Sequence, residues 1–468
     1  MPPLTEADLL FSEAANHNFS RILTDLKRSN LSIHNRLSSC LSDSSYVVSL
    51  SRSLNNLPLV ANERCGSWYI PPHLKSSSAY FKSTDGHAGQ WAFSTRRLNL
   101  HLLDLIAERG GVVVVDSTRR GKSMPDALSK TVPMWCCVMN RMLWPERREW
   151  HGLRVPPGVV GESERSQIEE RLGGFVRDFA GLGVDLEGVR GRLDRPLRPV
   201  WKGRDDGFEG MEEGEEEIEM LDGEGEFYPV VCCTASRGVR GTELSEAGYI
   251  QGAGDDTENW AHGLTAEIWW RHKDELLATA EGELPALIEW LVAEESERGG
   301  GAGSLRRLTD VISVSALPVE EQSARTYVVK LVPETTEMET WQKSKTEMEV
   351  GIGKSKLAGR NLRHALPTIC QFVKEILDSN AAEEGEQTPQ VIVACGTGKD
   401  LSVGVALGLD CWCFDKSGKL RVKDAEMPVF DKTAIRVRLG RIMTAMPEAN
   451  PSRTTLQSVN SFLMDWQR

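Results

Sequence analysis

The stretch VVVVDSTRRGKSMPDALSK, residues 112–130, decides the predicted fold. Four consecutive valines are typical of a strand that is buried on both faces. An amphipathic helical pattern precedes the strand and is closed by Gly110 and Gly111. A helix followed at once by a buried strand indicates an α/β layer. The strand delivers Asp116 and a run of cations to one loop, which predicts a site for a charged group.

The rest of the chain also alternates helices with buried strands, on both sides of a glycine-rich tract. With 468 residues, two or three domains are expected. We predict an N-terminal mixed α/β domain at 1–296, a linker at 297–304 and a second α/β domain at 305–468. Further strands are predicted at 228–233, 311–317, 326–332 and 391–395. Helices are predicted at 4–55, 266–296 (interrupted at Pro285), 361–379, 403–414 and 432–466 (broken at 446–452).

The net charge of −13 is concentrated in one block. Residues 205–226 hold twelve acidic side chains and no basic one, which is typical of a solvated, disordered insertion. Without the block the chain is close to neutral and still carries several basic clusters. The acidic balance therefore does not exclude an RNA partner.

Several classes of protein are not indicated. No apolar run reaches the ~18 residues of a membrane span, and the first residues do not resemble a signal peptide. The ten cysteines are scattered, and neither paired CxxC knuckles nor HExxH occurs. We therefore expect reduced thiols, no structural zinc and a cytoplasmic protein.

Beyond Asp116 the chain turns through residues that suit a phosphate site. A carboxylate at a strand end can hold Mg²⁺ or cap the loop, and arginine and lysine neutralise phosphates. The phosphate-binding candidates here are Ser117, Thr118, Arg119, Arg120, Gly121, Lys122 and Lys130. A turn with a solvated basic surface accounts for the same residues equally well.

A second strand runs into a similar loop, CGTGKDLS, at residues 395–402. A strand, a glycine-bearing loop and a helix start together form an anion cradle, because backbone N–H groups converge beside the helix dipole. The candidates are Cys395, Gly396, Thr397, Gly398, Lys399, Asp400, Leu401 and Ser402. The loop does not match the GxxxxGK[ST] pattern.

This loop is similar to that of the cysteine phosphatases, in which five residues separate the cysteine from an arginine. Cys395, Gly398 and Ser402 stand at matching places, but Leu401 replaces the arginine. Without the bidentate phosphate clamp, phosphatase catalysis is not expected. A phosphate cradle charged by Lys399 and a purely structural loop are the two interpretations that the residues leave.

Paired carboxylates occur in YIQGAGDDTENW, residues 249–260. Asp255 and Asp256 follow two glycines, and such a pair can coordinate Mg²⁺ or accept a proton from a hydroxyl. An Asx turn followed by a helix N-cap is the alternative, and spacing alone favours it.

The segment FKSTDGHAGQW, residues 81–91, holds further site candidates: Lys82, Asp85 and His87. A histidine can serve as a base or a phosphate partner, although surface histidines are more common. A hairpin-type turn at Asp85-Gly86 explains the segment without any function.

Five motifs, taken together and in this order, resemble the initiator tRNA phosphoribosyl transferases of fungi and plants. They are RCGSWY (64–69), KSTDGHAGQWAFSTRRLNLHLL (82–103), DSTRRGKSMPDALSKTVPMWCCVMNR (116–141), YIQGAGDDTENW (249–260) and ACGTGKDLSVGVAL (394–407). The resemblance spans nearly the whole chain and leaves out the acidic block and the glycine-rich linker.

The resemblance implies a reaction, its substrates and a fold. The expected reaction moves 5-phosphoribosyl from phosphoribosyl pyrophosphate to the 2′-hydroxyl of the adenosine at position 64, in the T-stem of initiator tRNA. That mark keeps the tRNA out of elongation. The C-terminal domain is expected to be similar to dual-specificity phosphatases. The usual phosphoribosyltransferase fingerprint, a paired-acid strand end with a TGGT-like loop, is not evident.

The implied chemistry assigns roles to the candidate loops. The donor carries a phosphate and a pyrophosphate, and we expect Mg²⁺ with it. Our hypothesis is that the 116–122 and 395–402 loops close around one donor across a domain interface. Asp255 or Asp256 is the first candidate for the general base and for metal binding, and Asp116 is the second candidate for the base.

The basic clusters are candidates for contact with the tRNA backbone. They are Arg96, Arg97, Arg141, Arg147, Arg148 and Arg154, with a further cluster of arginines at 190–204. A catalytically inactive, phosphatase-like module that only binds RNA or phosphate is the alternative function.

Overall fold

The computed structural model describes residues 31–204, 226–239, 248–298, 305–319, 325–381, 389–421 and 429–465. Nearly all of the predicted acidic insertion and most of the predicted linker lie outside the described residues, as do the first 30 residues. Two five-stranded sheets organise the described part, and the chain passes from one to the other between Arg298 and Arg306. The predicted α/β class is confirmed.

The first sheet is entirely parallel and has the strand order β2-β1-β3-β5-β4. Its strands are β1 (Leu59–Asn62), β2 (Lys75–Ala79), β3 (Val112–Asp116), β4 (Leu197–Gly203) and β5 (Tyr228–Thr234). The valine strand β3 lies at the centre, and all five of its residues are buried. Its valines alternate: Val112 and Val114 pack in one hydrophobic core, and Val113 and Val115 in another. The sheet is therefore covered on both faces, as the run of valines predicts.

Eight α-helices accompany this sheet in the described residues. They are α1 (Ile33–Ser53), α2 (His101–Arg109), α3 (Val132–Leu143), α4 (Glu162–Ala180), α5 (Glu187–Arg190), α6 (Ala266–Arg271), α7 (Lys273–Ala278) and α8 (Leu284–Arg298). A π-helical turn, Ala127–Thr131, leads directly into α3. The cores hold α2, α3 and α4 on one face of the sheet, and α1, α6, α7 and α8 on the other.

The second sheet has the order β6-β7-β10-β8-β9, with only the edge strand β6 antiparallel. Its strands are β6 (Arg306–Arg307), β7 (Ile312–Ala316), β8 (Thr326–Val332), β9 (Glu347–Gly351) and β10 (Gln390–Cys395). Its helices are α9 (Ser355–Ala381), α10 (Leu401–Cys413), α11 (Lys432–Ala445) and α12 (Arg453–Asp465). Helix α10 packs closely on α12, since a Cβ added at Gly404 would lie 2.3 Å from a Thr455 methyl carbon.

The two domains meet through the segment that follows β2 and the region around α11. Tyr80 Oη donates a hydrogen bond to the Glu448 carbonyl at 3.3 Å. Arg97 Nη2 donates to Asn450 Oδ1 at 2.6 Å, and Val437 packs against the core of the first domain. The interface therefore lies beside the carboxyl-terminal edge of the first sheet.

The strongly patterned elements of the sequence are confirmed. The predicted strands at 112–116, 228–233, 311–317, 326–332 and 391–395 all form, as do the helices of the second domain. The predicted interruption at Pro285 is wrong. The helical region is instead broken between Ala278 and Leu284, and Pro285 lies in the first turn of α8, where proline is tolerated.

Two further features of the described chain concern its cysteines and the character of its helices. All ten cysteines are free and buried. None of the described helices combines the length and apolar character that crossing a bilayer would require.

A buried carboxylate connects helix α1 to the edge of the first sheet. Asp43 lies on α1 with a fully buried side chain, and it accepts hydrogen bonds from Arg204 Nη1 at 2.7 Å and from Tyr249 Oη at 2.8 Å. Arg204 directly follows β4, and Tyr249 belongs to the loop of paired carboxylates. Burial raises the pKa of Asp43 to about 7, although both donors lower it.

We predict that Asp43 makes stability depend on pH. Its folded-state pKa lies above its unfolded value, so the stability it contributes is present at low pH and is lost as pH rises from about 4 to about 7. The expected slope is at most about 1.4 kcal/mol per pH unit. Relative to wild type, Asp43→Asn should show a smaller fall in thermal unfolding midpoint between pH 5 and pH 7.5. The control is Asp274→Asn, whose side chain is 94% exposed. Parallel curves for wild type and Asp43→Asn would contradict the assignment.

Candidate active site

The order of the first sheet locates a crevice. From β1 the chain adds β2 on one side and β3 on the other, so the strand order reverses between β1 and β3. In open parallel sheets, ligands bind outside the carboxyl ends of the strands at such a switch point. The residues at this place are Arg64, two positions after β1, and Asp116, the last residue of β3.

Arg64 lies between two carboxylates in this crevice. Its Nε and Nη2 donate to Asp116 at 3.2 and 2.9 Å, and its Nη1 donates to Asp255. Its Nη2 also donates to the Ser117 carbonyl. The Arg64 side chain is 26% exposed, so the ion pairs are only partly shielded from solvent. The crevice therefore presents one positioned cation.

Asp116 is saturated with donors and fully buried. Its Oδ2 accepts from Asn62 Nδ2 at 2.8 Å, and its Oδ1 accepts from the Ser117 N–H at 2.8 Å and from Cys65 Sγ at 3.0 Å, besides the bonds from Arg64. Burial and the charge of Asp116 raise the pKa of the Cys65 thiol well above its usual value, so the thiol stays protonated and donates. This carboxylate has no exposed oxygen for a substrate proton or a metal ion.

The loop with the paired carboxylates is held against the switch point by its glycines. Gly252 has a φ of +68°, and a Cβ there would lie 2.5 Å from the Thr118 carbonyl oxygen. The Gly254 N–H donates to Tyr69 Oη at 2.9 Å, and Trp260 Nε1 donates to the Ala253 carbonyl at 3.0 Å. These contacts direct Asp255 to Arg64, with 13% of its side chain exposed.

The two carboxylates do not share one position. Asp256 is exposed and accepts a hydrogen bond from Asn259 Nδ2 at 2.5 Å within its own turn. It precedes a short 3₁₀ turn, Thr257–Asn259, without capping it by a side-chain bond. The structure thus brings Asp255, and not Asp256, to the cation of the crevice.

Lys122, Lys130 and His87 converge on a carboxylate that the sequence did not single out. Lys122 Nζ and Lys130 Nζ each lie 2.9 Å from Asp126, and His87 Nε2 lies 3.8 Å from it. Lys130, in the π-helical turn, also pairs with Glu164 at 3.2 Å. Burial opposes ionisation of Asp126, but the hydrogen bonds from both lysines lower its pKa. Arg119 and Arg120 are exposed on the preceding turn.

The segment around Asp85 forms a 3₁₀ turn, Ser83–Gly86, and not a hairpin. Gly86 is needed for close packing, because a Cβ there would lie 2.7 Å from the Asp126 carbonyl oxygen. Burial raises the pKa of Asp85, although the charges of Lys82 and Arg96 lower it. The turn therefore packs against the segment of Asp126, and His87 lies near that carboxylate.

The 395–402 loop of the second domain is partly held by hydrogen bonds within itself. Cys395 is buried, and its Sγ donates to Ser402 Oγ at 3.3 Å. The Gly398 N–H donates to the Cys395 carbonyl at 3.2 Å, and the Lys399 N–H donates to Thr397 Oγ1 at 3.2 Å. Two amides of the predicted cradle are therefore engaged within the loop.

The chain after α11 covers the outer side of this loop. Asp400 Oδ1 accepts from the Ser452 N–H at 2.8 Å and from Thr455 Oγ1 at 2.6 Å. The Asn450 N–H donates to the Lys399 carbonyl at 2.8 Å. Leu401, at the position of the phosphatase arginine, begins helix α10.

Sequence profiles give the identity of both domains. The profile of the Rit1 N-terminal domain matches residues 26–293, and that of the Rit1 DUSP-like domain matches residues 346–463. The chain belongs to the Rit1 family.

Two relatives cover nearly all of this Rit1 chain. A protein of Saccharomyces cerevisiae named tRNA A64-2'-O-ribosylphosphate transferase is 31% identical in an alignment of 497 positions that covers 96% of this chain and 95% of that protein. An uncharacterised protein of Schizosaccharomyces pombe is 34% identical in an alignment of 448 positions that covers 92% of this chain and 94% of that protein. No solved structure matches the chain. The predicted family is confirmed.

Most of the basic stretch of the Rit1 N-terminal domain is engaged in local contacts. Arg141 Nη2 donates to the His151 carbonyl at 2.9 Å, and Arg147 lies 3.6 Å from Glu149. Arg148 is exposed, and Arg154 lines a cavity of about 1060 Å³ beside β4. In the later cluster, ion pairs involve Arg190, Arg192, Arg195 and Arg204. The pairs of Arg190, Arg192 and Arg195 are exposed and contribute little to stability, whereas Arg204 pairs with the buried Asp43 and has a structural role.

Two residues of the Rit1 crevice were missed in the sequence. Arg64 opens the RCGSWY motif, but its role depends on β1, a four-residue strand that was not predicted. Asp126 could have been found from spacing, because Lys122, Asp126 and Lys130 follow one another at helical i,i+4 intervals.

We predict that the two carboxylates bonded to Arg64 contribute very differently to stability. Asp116→Ala removes the buried partner of Arg64 and leaves several donors unsatisfied, so it should destabilise the domain by about 3–5 kcal/mol. Asp255→Ala breaks a partly exposed pair and should cost about 1 kcal/mol or less. Urea unfolding followed by tryptophan fluorescence measures both. Equal losses in the two variants would refute the view that Asp116 is the anchor.

Proposed function

We propose that this Rit1 protein transfers 5-phosphoribosyl from phosphoribosyl pyrophosphate to the 2′-hydroxyl of adenosine 64 in the T-stem of initiator tRNA. The similarity over nearly the full length of a relative named for this transfer supports the proposal. The observation that carries it in the structure is Arg64, a cation positioned at the switch point of a parallel sheet. Such a crevice suits a sugar phosphate donor. We propose that the reaction takes place in the cytoplasm.

Arg64 is the proposed anchor for the donor. Asp116 and the Ser117 carbonyl occupy Nε and Nη2 and orient the guanidinium, so Nη1 is the group that would donate to a phosphate oxygen, in competition with Asp255. Asp116 is then a positioning residue, since its own oxygens are saturated. Ser117 Oγ and Thr234 Oγ1, at the ends of β3 and β5, are buried without a hydrogen-bond partner among the described residues. Buried hydroxyls are normally paired, so both support a polar ligand in this crevice.

Lys122 and Lys130 extend the positive wall that the donor would meet. Asp126 holds both ammonium groups at one place and, together with Glu164 beside Lys130, offsets their charge. If phosphate oxygens replaced these carboxylates, the two cations would stabilise the charge that develops on the leaving pyrophosphate, which is the largest electrostatic requirement of the reaction.

Asp255 is the proposed general base. As the bond between ribose C1 and the pyrophosphate oxygen breaks, its electron pair leaves with pyrophosphate and the tRNA 2′-oxygen bonds to C1. The 2′-hydroxyl proton must leave that oxygen, and a carboxylate in the crevice can accept it. Donor phosphates that occupy Arg64 would compete with Asp255 for the guanidinium and release the carboxylate for this role.

Mg²⁺ is expected to accompany the donor. No group of three or more His, Cys, Asp or Glu side chains that could hold a metal occurs among the described residues. Mg²⁺ characteristically takes one or two carboxylates and completes its shell with water and substrate phosphates. Asp255, which faces the crevice, would fit that limited role better than the exposed Asp256, and the bound ion would neutralise pyrophosphate charge.

We predict that Asp255→Asn lowers transfer and leaves tRNA binding intact. Loss of a general base typically reduces the rate by about 10²–10⁴-fold. The measurement is single-turnover transfer of label from phosphoribosyl pyrophosphate to initiator tRNA, with tRNA affinity measured separately. Asp256→Asn is the matched control, because the exposed carboxylate does not reach Arg64, and it should lose less than tenfold. If wild type transfers no label, the proposed function is wrong. A larger loss in Asp256→Asn than in Asp255→Asn would transfer the role to Asp256.

We also predict that the DUSP-like domain does not act as a phosphatase. Cys395→Ser preserves a donor to Ser402 and should keep transfer within about twofold of wild type, because no arginine completes the loop. Phosphate release from a generic aryl phosphate should be equally low in both proteins. A loss of label transfer greater than about a hundredfold would show that the thiol takes part.

A further inference from the structure

The interface between the two domains contains a basic cavity. It has a volume of about 560 Å³ and receives residues from the segment after β2 and from the start of α12. Four of its residues are cations, three from the first domain and one from the second: Lys82, Arg96, Arg97 and Arg453. No carboxylate is among its lining residues.

The cations at the mouth are available for a ligand. Lys82, Arg96 and Arg453 are exposed, and none of them forms an ion pair within the described residues. Asp85 attracts Lys82 and Arg96 electrostatically but makes no ion pair with either. Other arginines that were predicted to contact tRNA already have acidic partners: Arg147 pairs with Glu149, and Arg190 pairs with Glu146.

The fourth cation holds the domains together and aligns the cavity. Arg97 lies 4.0 Å from the Tyr80 ring centroid and donates to Asn450. Its Nη1 is buried and has no hydrogen-bond partner in the described chain. Burial lowers the pKa of Arg97, and the nearby positive charge of Arg96 lowers it further because the two like charges repel. An anion in the cavity would relieve this repulsion.

Polar amides and an apolar floor complete the cavity. Asn450, Gln457 and Asn460 provide amide groups, and Leu439, Met443 and Leu456 form the floor. Cations with amides suit a ribose-phosphate chain, because phosphates need positive charge and 2′-hydroxyls need donors and acceptors. The volume is far larger than one phosphate group requires.

The position of the cavity connects it with the candidate active site. The Lys82 carbonyl accepts a hydrogen bond from Thr131 Oγ1 at 2.9 Å, in the π-helical turn that carries Lys130. On its other side, the segment of Asn450 and Ser452 covers the 395–402 loop. Neither Lys122 nor Lys399 lines the cavity. The cavity thus lies beside the phosphatase-like loop of the second domain and does not include it.

We propose that this interdomain cavity binds the sugar-phosphate backbone of the substrate tRNA, with Lys82 and Arg96 from one domain and Arg453 from the other contacting its phosphates. The inference rests on the proposed tRNA substrate. It gives the DUSP-like domain a role in holding RNA across the interface while the crevice of the first sheet receives the donor.

The test removes the three exposed cations together in Lys82→Ala/Arg96→Ala/Arg453→Ala. Arg97 is left intact because it joins the domains. Affinity for labelled initiator tRNA is measured by fluorescence anisotropy between 50 and 200 mM salt, and affinity for phosphoribosyl pyrophosphate by calorimetry. We expect tRNA binding to weaken at least about tenfold, and the slope of log K against log salt to fall by about 2–3, at roughly 0.9 per lost phosphate contact. Donor affinity should stay within about twofold.

A matched control and a second variant keep the test decisive. Arg363→Ala removes an exposed arginine of the same domain that pairs with Asp465 at 3.2 Å, and it should leave tRNA affinity unchanged. Arg453→Glu reverses one charge and should weaken tRNA binding more than Arg453→Ala, with an unfolding midpoint equal to that of wild type.

Two results would overturn the proposal. The first is that the triple variant binds tRNA with the same affinity and the same salt dependence as the Arg363→Ala control. The other is weakened donor binding with unchanged tRNA binding, which would assign the cavity to the donor. The proposed function fails separately, since a wild type that binds tRNA through these cations without transferring label would contradict only the reaction.

Discussion

The buried carboxylate of Asp116 is the constraint on which the rest of the first domain depends. It ends the central strand of a parallel sheet with no exposed surface, so its charge must be compensated by the protein itself. Arg64, Asn62, Cys65 and the Ser117 N–H supply that compensation. One carboxylate therefore determines how β1 ends, where the loop after β3 begins and which way a guanidinium points.

The same interaction supports the proposal that a sheet without the usual phosphoribosyltransferase loop binds the donor. Donor binding would not require the usual loop motif if a cation is fixed at the switch point and phosphate can replace a second, more exposed carboxylate beside that cation. Asp255 is that carboxylate, and it reaches Arg64 because two glycines let its loop pack against Thr118 and Trp68. In the proposed mechanism, the buried Asp116 orients Arg64 and the partly exposed Asp255 accepts the proton.

The sequence predicted those elements whose patterns are local. The valine strand, the strand that ends at Cys395 and the helices of the second domain all follow from runs of apolar residues. β1 and β2 escaped prediction, because the first is four residues long and the second is the polar stretch KSSSA. Their place in the sheet is set by pairing with partners distant in the chain, and no local pattern encodes that.

The candidate site shows the same division. Asp116, Lys122, Lys130 and Asp255 were found because charged residues follow strands and glycines in the sequence. Arg64 was missed, Asp116 was considered as a base, and Asp255 and Asp256 were treated as one pair, since burial and hydrogen-bond saturation are invisible in a sequence.

By itself, therefore, the sequence determined the α/β class, the family and the loops that carry charge, because composition, periodicity and motif are properties of neighbouring residues. Only the tertiary structure decided that Asp116 is buried and fully hydrogen-bonded and that Arg64 lies at the switch point. It also decided that basic residues of both domains line one cavity. Those outcomes depend on contacts between segments that can be hundreds of residues apart, such as Arg97 with Asn450.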